Sequence, residues 1–260
     1  MLLVIDIGNT NIVFGVYDNN ELINHWRLST SLIKTVDEYA ILLNSLLYME
    51  KIRLKEIDSA IISCVVPPLL IPFEIVCKKY IGIRPIIVEP GIKTGMPILY
   101  ENPSELGADR IVNAVAGYDK HKRSLIIVDF GTATTFDYIT EKGEYVGGAI
   151  VPGIMISLEA LFERASKLPR VELIRPKTII GRHTVHAMQS GIIYGYSSLV
   201  DGVVKRMKQE VKTDPYVIAT GGLSSLIFKN SETIDEIDEF LTLKGLKILY
   251  EKNKDHHKFR

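Results

Sequence analysis

The sequence predicts an α/β protein of two similar lobes, each a mixed sheet with three antiparallel strands plus helices, with a cleft between the lobes. Three observations lead there. The chain has 260 residues, enough for one large or two small domains. Its apolar periodicities come in the order three strands, helix, strand, helix, and then largely repeat. Each half also opens on the same device, an apolar strand ending in Asp-x-Gly with hydroxyl or amide residues, at Asp6 and again at Asp129. The lobes are expected at 1–117 and 118–260, each aiming its Asp-x-Gly hairpin at the cleft.

The elements follow in order. Leu2 to Ile7 delivers Asp6 to a turn of Gly8, Asn9, Thr10 and Asn11, and Ile12 to Tyr17 leaves as the second arm of a hairpin. Glu21 to Arg27 is a third strand behind the Asp18-Asn19-Asn20 turn. Thr35 or Asp37 can cap a helix whose Tyr39, Leu42, Leu43, Leu46 and Leu47 fall at helical spacing. Ile57 to Val66 has the β-branched richness of a strand covered on both faces. Pro67-Pro68 stops it and starts a helix towards Tyr80; Pro85 to Glu89 is another strand. A loop punctuated by Pro90, Gly91, Gly95 and Pro97 leads to Pro103, predicted to open one helix through Gly107-Ala108-Asp109-Arg110 to about Lys120.

The pattern then restarts. Ser124 to Thr135, Thr135 to Thr140 and Tyr145 to Val151 are three strands, and the overlay of Asp6 on Asp129 and of the Asp18 turn on the Glu141 turn needs no gap. Helices are expected over 154–166 and 184–211, a strand at Tyr216 to Ala219 running into Thr220-Gly221-Gly222, and a last helix from about Phe240 to Glu251 before a frayed charged tail.

Composition excludes several classes. Hydrophobic residues make up 47% and charged residues 24%, and the formal net charge is zero, which argues against nucleic acid or an acidic membrane as the main partner. Cys64 and Cys77 form no CxxC pair and read as buried thiols in a reducing compartment. No basic, apolar leader precedes Asp6, and the longest apolar stretch is broken by Pro67, Pro68, Pro72 and Glu74, so neither a secretory signal nor a membrane span is expected.

No GxxxxGK[ST] or GxGxxG is present, and Asp129-Phe130-Gly131 lacks the companions that a protein-kinase DFG needs. Candidate phosphate sites are Asp6 to Asn11, Asp129 to Thr132 and Thr220-Gly221-Gly222, where backbone N–H groups can wrap phosphate and a carboxylate can hold its Mg²⁺. Any one of them reads equally well as an ordinary turn; two related by a repeat favour nucleotide. His183 and His186 stand at i, i+3 without a third ligand, so a zinc site is not expected. His256 and His257 read as solvated, and Lys205, Arg206, Lys208 and Lys212 as the wet face of the long helix.

Over nearly its whole length the chain resembles the type III pantothenate kinases of the acetate/sugar kinase–Hsp70–actin superfamily. The resemblance rests on Asp6-Ile7-Gly8-Asn9-Thr10-Asn11, Gly107-Ala108-Asp109-Arg110, Asp129-Phe130-Gly131-Thr132, Gly147-Gly148 to Gly153, Thr184 to Gly191 with its Ala-Met-Gln-Ser-Gly, and Ala219-Thr220-Gly221-Gly222. It implies duplicated ribonuclease H-like (actin-like ATPase) lobes and ATP-dependent phosphorylation of pantothenate to 4′-phosphopantothenate in coenzyme A synthesis. It casts Asp109 as the proton acceptor; the alternative for an Asp in a first helical turn is a dipole partner. It assigns Asp6 to Val13 (Ile12 included) and Thr132 to the nucleotide, Asp6 to Mg²⁺ or another divalent cation, and Asp129 to K⁺ or NH₄⁺. Tyr100, Gly107, Ala108, Asp109, Arg110 and Thr184 are its pantothenate contacts, Arg110 suiting a carboxylate; Thr184 is also an N-cap candidate. A cytoplasmic homodimer joined through helices of the second lobe is implied, with close packing at Gly191 and Gly195. The rivals are a sugar or acetate kinase of the same fold, an Hsp70- or actin-like nucleotide switch, and a regulatory homologue without turnover.

Overall fold

Two five-stranded mixed sheets with the same strand order organise the chain. In the computed structural model, which describes residues 1–257, the first sheet runs β3-β2-β1-β4-β5 and the second β10-β9-β6-β7-β8. The strands of the first are β1 (Leu2–Ile7), β2 (Asn11–Asp18), β3 (Glu21–Ser29), β4 (Ser59–Cys64) and β5 (Ile86–Ile87). Those of the second are β6 (Leu125–Phe130), β7 (Ala133–Ile139), β8 (Tyr145–Pro152), β9 (Tyr216–Thr220) and β10 (Glu236–Ile237). In each, three antiparallel strands continue into a parallel pair, β1 with β4 and β6 with β9. The duplicated, actin-like architecture expected from the sequence is therefore present.

The overlay does need a shift. Asp6 pairs with Val13, but Asp129 pairs with Thr135, so the second Asp-x-Gly turn is one residue shorter than the first. The next turn restores the offset, since Tyr17 pairs with Leu22 whereas Ile139 pairs with Tyr145. Two compensating turns look like a gapless repeat in sequence.

Seven helices complete the described residues: α1 (Val36–Met49), α2 (Pro67–Val76), α3 (Ala108–His121), α4 (Ile154–Arg164), α5 (Thr184–Val211), α6 (Ser224–Phe228) and α7 (Leu241–His257). Thr35 caps α1 with a complete capping box to Glu38. Proline starts α2 at its first positions, and a π-turn over Cys77–Ile81 ends it at the left-handed Gly82. The helix expected to open at Pro103 is a short 3₁₀ turn, Pro103–Glu105, and Leu106 is extended before α3 begins at Ala108.

The chain divides into two compact units, one of Met1–Ala116 with the stretch from Leu241 onward, the other Gly117–Phe240. In the first unit, alternation along β1 sends Leu3, Ile5 and Ile7 into a core with α1 and α2 residues Tyr39, Leu43, Leu69 and Phe73. The opposite face carries Val4, Asp6, Ile61 and Ser63, and α7 covers its apolar part with Leu243, Leu246 and Leu249 buried. A Cβ on Gly15 would stand 2.9 Å from Val4 and 3.2 Å from Leu243, so glycine there lets α7 approach. The last helix thus packs with the first unit, not with the second lobe as its place in sequence suggests. The first junction between the units falls at Ala116/Gly117. In the second unit β6, β7 and β9 pack on α4 and α5 through Val128, Phe136, Leu158, Ile192 and Val200.

No helix among the described residues is long and apolar enough to cross a membrane. The side chains of His256 and His257 lie outside the described residues.

Candidate active site

In the first unit the site is built from the end of β1 and the start of α3. The β1–β2 turn closes on itself: the Gly8 N–H donates to Asn11 O at 3.0 Å, and a Cβ on Gly8 would press on that oxygen. Thr30, at the end of β3, braces the turn twice. Its Oγ1 donates to Gly8 O at 2.6 Å and its N–H to Thr10 O at 3.0 Å. Asn9 and Thr10 are thereby held at the surface with Asn11 and Val13 half-buried beside them, while Ile7 and Ile12 anchor the turn in the core.

Asp6 stands just before this turn. Its Oδ1 is closed off from solvent and has no hydrogen-bond partner. Burial, then the Asp109 charge, raise the Asp6 carboxyl to about 7, while the Ser63 hydroxyl pulls it down. A buried, unsatisfied hard oxygen beside a phosphate-sized turn fits a divalent cation, which is ordinarily held by one or two carboxylates plus substrate phosphates. Among the described residues no group of three or more His, Cys, Asp or Glu side chains forms an all-protein cage.

Asp109 sits in the first turn of α3. Its Oδ1 accepts the Arg110 N–H at 2.8 Å, and a Cβ on Gly107 would lie 2.6 Å from the same oxygen. Glycine at 107 therefore makes the space into which the Asp109 carboxylate turns. Arg110 is buried, Ala108 half-buried in the same turn, and Tyr100 half-buried in the loop before it. That loop is tied to α7: Asn253 accepts from Lys93 N and donates to Lys93 O. Helix α3 is fixed by α7 as well, because Gly245 packs where a Cβ would stand 2.2 Å from Val112 O, and Thr242 donates to Asn113 at 2.8 Å.

The second unit carries its own constellation. Asp129 is the last but one residue of β6, opposite Thr220 of β9. Gly221 has φ +88, and a Cβ there would lie 2.5 Å from Asp129 Oδ1 and 2.7 Å from Phe130 backbone atoms. Thr132 is exposed on the β6–β7 turn, and its carbonyl accepts the Gly153 N–H at 3.1 Å. A carboxylate beside this tight turn offers one hard oxygen donor of the kind that suits a hard monovalent or divalent cation.

Thr184 begins α5, but the cap is His183, whose Nδ1 accepts from the His186 N–H at 3.3 Å. His186 Nε2 in turn meets Thr178 O at 3.0 Å, so both imidazoles serve the fold. Thr184 lines an open cavity of about 670 Å³ with Leu161, Arg182, Met188 and Ile192. A Cβ on Gly191 or Gly195 would meet nothing within 4 Å, so these positions of α5 face open space.

Burial pushes the Cys77 thiol up to about 12 and raises Cys64 as well, which leaves both as unreactive packing residues. Two residues that the sequence reading did not single out emerge here, Thr30 and Ser63. Ser63 left a faint signal, the one hydroxyl in the apolar run from Ala60 to Val66; Thr30 left none.

The chain is similar to known proteins over nearly its whole length. The type III pantothenate kinase family profile matches residues 2–206. The chain is 62% identical over 255 residues to the type III pantothenate kinase of Geobacter sulfurreducens, covering 98% of this chain and 100% of that one. It is 61% identical over 254 residues to that of Pelobacter propionicus, with the same coverage. In structure it is similar to MreB 5 of Spiroplasma citri, with a TM-score of 0.57 at 12% identity over 99% of this chain and 98% of that one, a likeness of fold alone.

Proposed function

The chain belongs to the type III pantothenate kinase family, and we propose how its residues divide the work of that reaction. The enzyme transfers the γ-phosphoryl group of ATP to the primary hydroxyl of pantothenate. This gives 4′-phosphopantothenate, the first step of coenzyme A synthesis.

Asp109 is the proton acceptor. As the pantothenate oxygen bonds to the γ-phosphorus and the bond to the β,γ-bridging oxygen breaks, the hydroxyl proton passes to the Asp109 carboxylate and ADP leaves. One observation carries this role: glycine at 107 leaves room for the Asp109 carboxylate, close enough to Asp6 for their charges to interact. Arg110 pairs with the pantothenate carboxylate, and Tyr100, Gly107, Ala108 and Thr184 complete the acceptor's contacts. Asp6 and the turn through Val13, with Thr132, hold ATP. Asp6 takes the divalent cation, which when bound offsets phosphate charge, and Asp129 takes K⁺ or NH₄⁺. The open glycine positions of α5 and the exposed Met155, Ile156 and Ile180 support a homodimer, and a biosynthetic role supports a cytoplasmic setting.

ADP release with and without pantothenate, in K⁺ and in Na⁺ buffer, tests the scheme in wild type and Asp109→Asn. The expected result is pantothenate-dependent release, higher in K⁺, that falls by at least about 100-fold in Asp109→Asn. Pantothenate-independent hydrolysis, or full turnover by the variant, overturns it.

A further inference from the structure

Ser63 stands directly opposite Asp6. Strands β1 and β4 are parallel, with Asp6 paired to Ser63 between the pairs Ile5–Ile62 and Ile7–Cys64. Alternation puts both side chains on one face of the sheet, the face whose neighbouring positions are Val4 and Ile61. Ser63 is fully buried, its Oγ has no hydrogen-bond partner, and Asp6 Oδ1 is likewise sealed and unpartnered.

Two unsatisfied polar atoms side by side in an otherwise apolar stretch are uncommon, because a buried hydroxyl ordinarily finds an acceptor within the fold. In the ligand-free fold the Ser63 hydroxyl bears only on the Asp6 carboxyl, which it lowers without closing a hydrogen bond of good geometry. Its nearest counterpart by register is the carboxylate that, on the reading above, anchors the nucleotide's divalent cation. A ligating carboxylate is held in place by hydrogen bonds from outside the ligand set, and such partners fix which oxygen faces the metal.

We propose that Ser63 is a positioning residue for the reaction: its hydroxyl donates to the Asp6 carboxylate when the cation-bound nucleotide is seated, and holds that carboxylate in the orientation that binds it. The inference rests on the assignment of Asp6 as cation anchor.

The test uses the full chain and calorimetric binding of ADP, once with Mg²⁺ and once in EDTA, together with thermal melts of the ligand-free protein. Ser63→Ala is expected to weaken Mg²⁺–ADP binding by roughly tenfold and to leave ADP in EDTA unchanged. Its melting temperature should change little, since the deleted hydroxyl makes no well-formed hydrogen bond in the ligand-free fold. Ser63→Thr and Ser63→Val have the same shape, so the steric strain of each cancels in their comparison. Thr should retain the preference for Mg²⁺–ADP over ADP, and Val should lose it. Equal weakening with and without Mg²⁺, no weakening, or matching behaviour of Thr and Val overturns the proposal. Asp6→Asn separates the two levels. If it removes the Mg²⁺ preference and Ser63→Ala does not, Ser63 alone is misassigned; if Asp6→Asn also keeps the preference, the anchor itself is.

Discussion

Asp6 and Asp109 come from opposite ends of the first unit's N-terminal segment, 1–116, and bear on each other's charge, with burial and the Asp109 carboxylate together lifting Asp6 to about 7. In the absence of a cation the fold therefore holds a proton on Asp6 that an unfolded chain releases near 3.8. The folded state binds the extra proton between those values, so stability falls as pH rises from about 4 to 7 and stays reduced above. Asp6→Asn should thus raise the melting temperature of the ligand-free protein at pH 8, by an amount on the order of a few kcal/mol in stability, while abolishing turnover. At pH 4 the gain should vanish. Thermal melts across that range in EDTA check it, and a variant less stable than wild type at pH 8 would refute the burial argument.

Gly107→Ala places a methyl group 2.6 Å from Asp109 Oδ1. The carboxylate has to swing away, and displacement of a reacting group by about 1 Å costs on the order of 100-fold in rate. We expect kcat to drop by about that factor with little change in melting temperature, because residue 107 is only half-buried. Steady-state kinetics with wild-type kcat would show that Asp109 does not need the space.

Thr30→Val keeps the shape of the side chain and removes its 2.6 Å bond to Gly8 O. The loss should cost about 1 kcal/mol and loosen the turn. KM for ATP is expected to rise severalfold while KM for pantothenate holds; equal changes in both would mean that the turn does not serve the nucleotide.

Gly221→Ala meets the Asp129 carboxylate at 2.5 Å and the Phe130 backbone at 2.7 Å, at a φ of +88 that an alanine resists. Backbone contacts cannot rotate aside as a flexible side chain would. A loss of roughly 2 kcal/mol or more in stability is expected, with weaker activation by K⁺. An unchanged melt would contradict the close packing of this turn.

Local signals made much of this legible. The hairpin at Asp6, its echo at Asp129, the three-strand opening of each half and the span of α5 follow from β-branched runs, turn residues and helical spacing. What the sequence hid was non-local or compensated. The one-residue offset between the repeats cancels across two turns. Leu106 and Gly107 interrupt a helix where no proline announces a stop, because the Asp109 carboxylate needs the room. His183 rather than Thr184 caps α5, a choice between neighbours that periodicity does not make. Ser63 and Thr30 matter through strands that pair across distant stretches of chain, and α7 joins the first sheet although more than a hundred residues of the second unit come between.

That return of α7 governs the order in which the protein is made. Residues 117–240 are contiguous, so the second unit is complete on the ribosome as soon as they emerge. The first unit is not: until residues 241–257 are synthesised, Val4, Gly15 and Ile61 lack their cover and α3 lacks its contact at Gly245. Synthesis from the N-terminus usually lets the earlier domain fold first. Here it is the later one that leads, and the groups proposed for proton transfer and cation binding are locked in place only after α7 has been made.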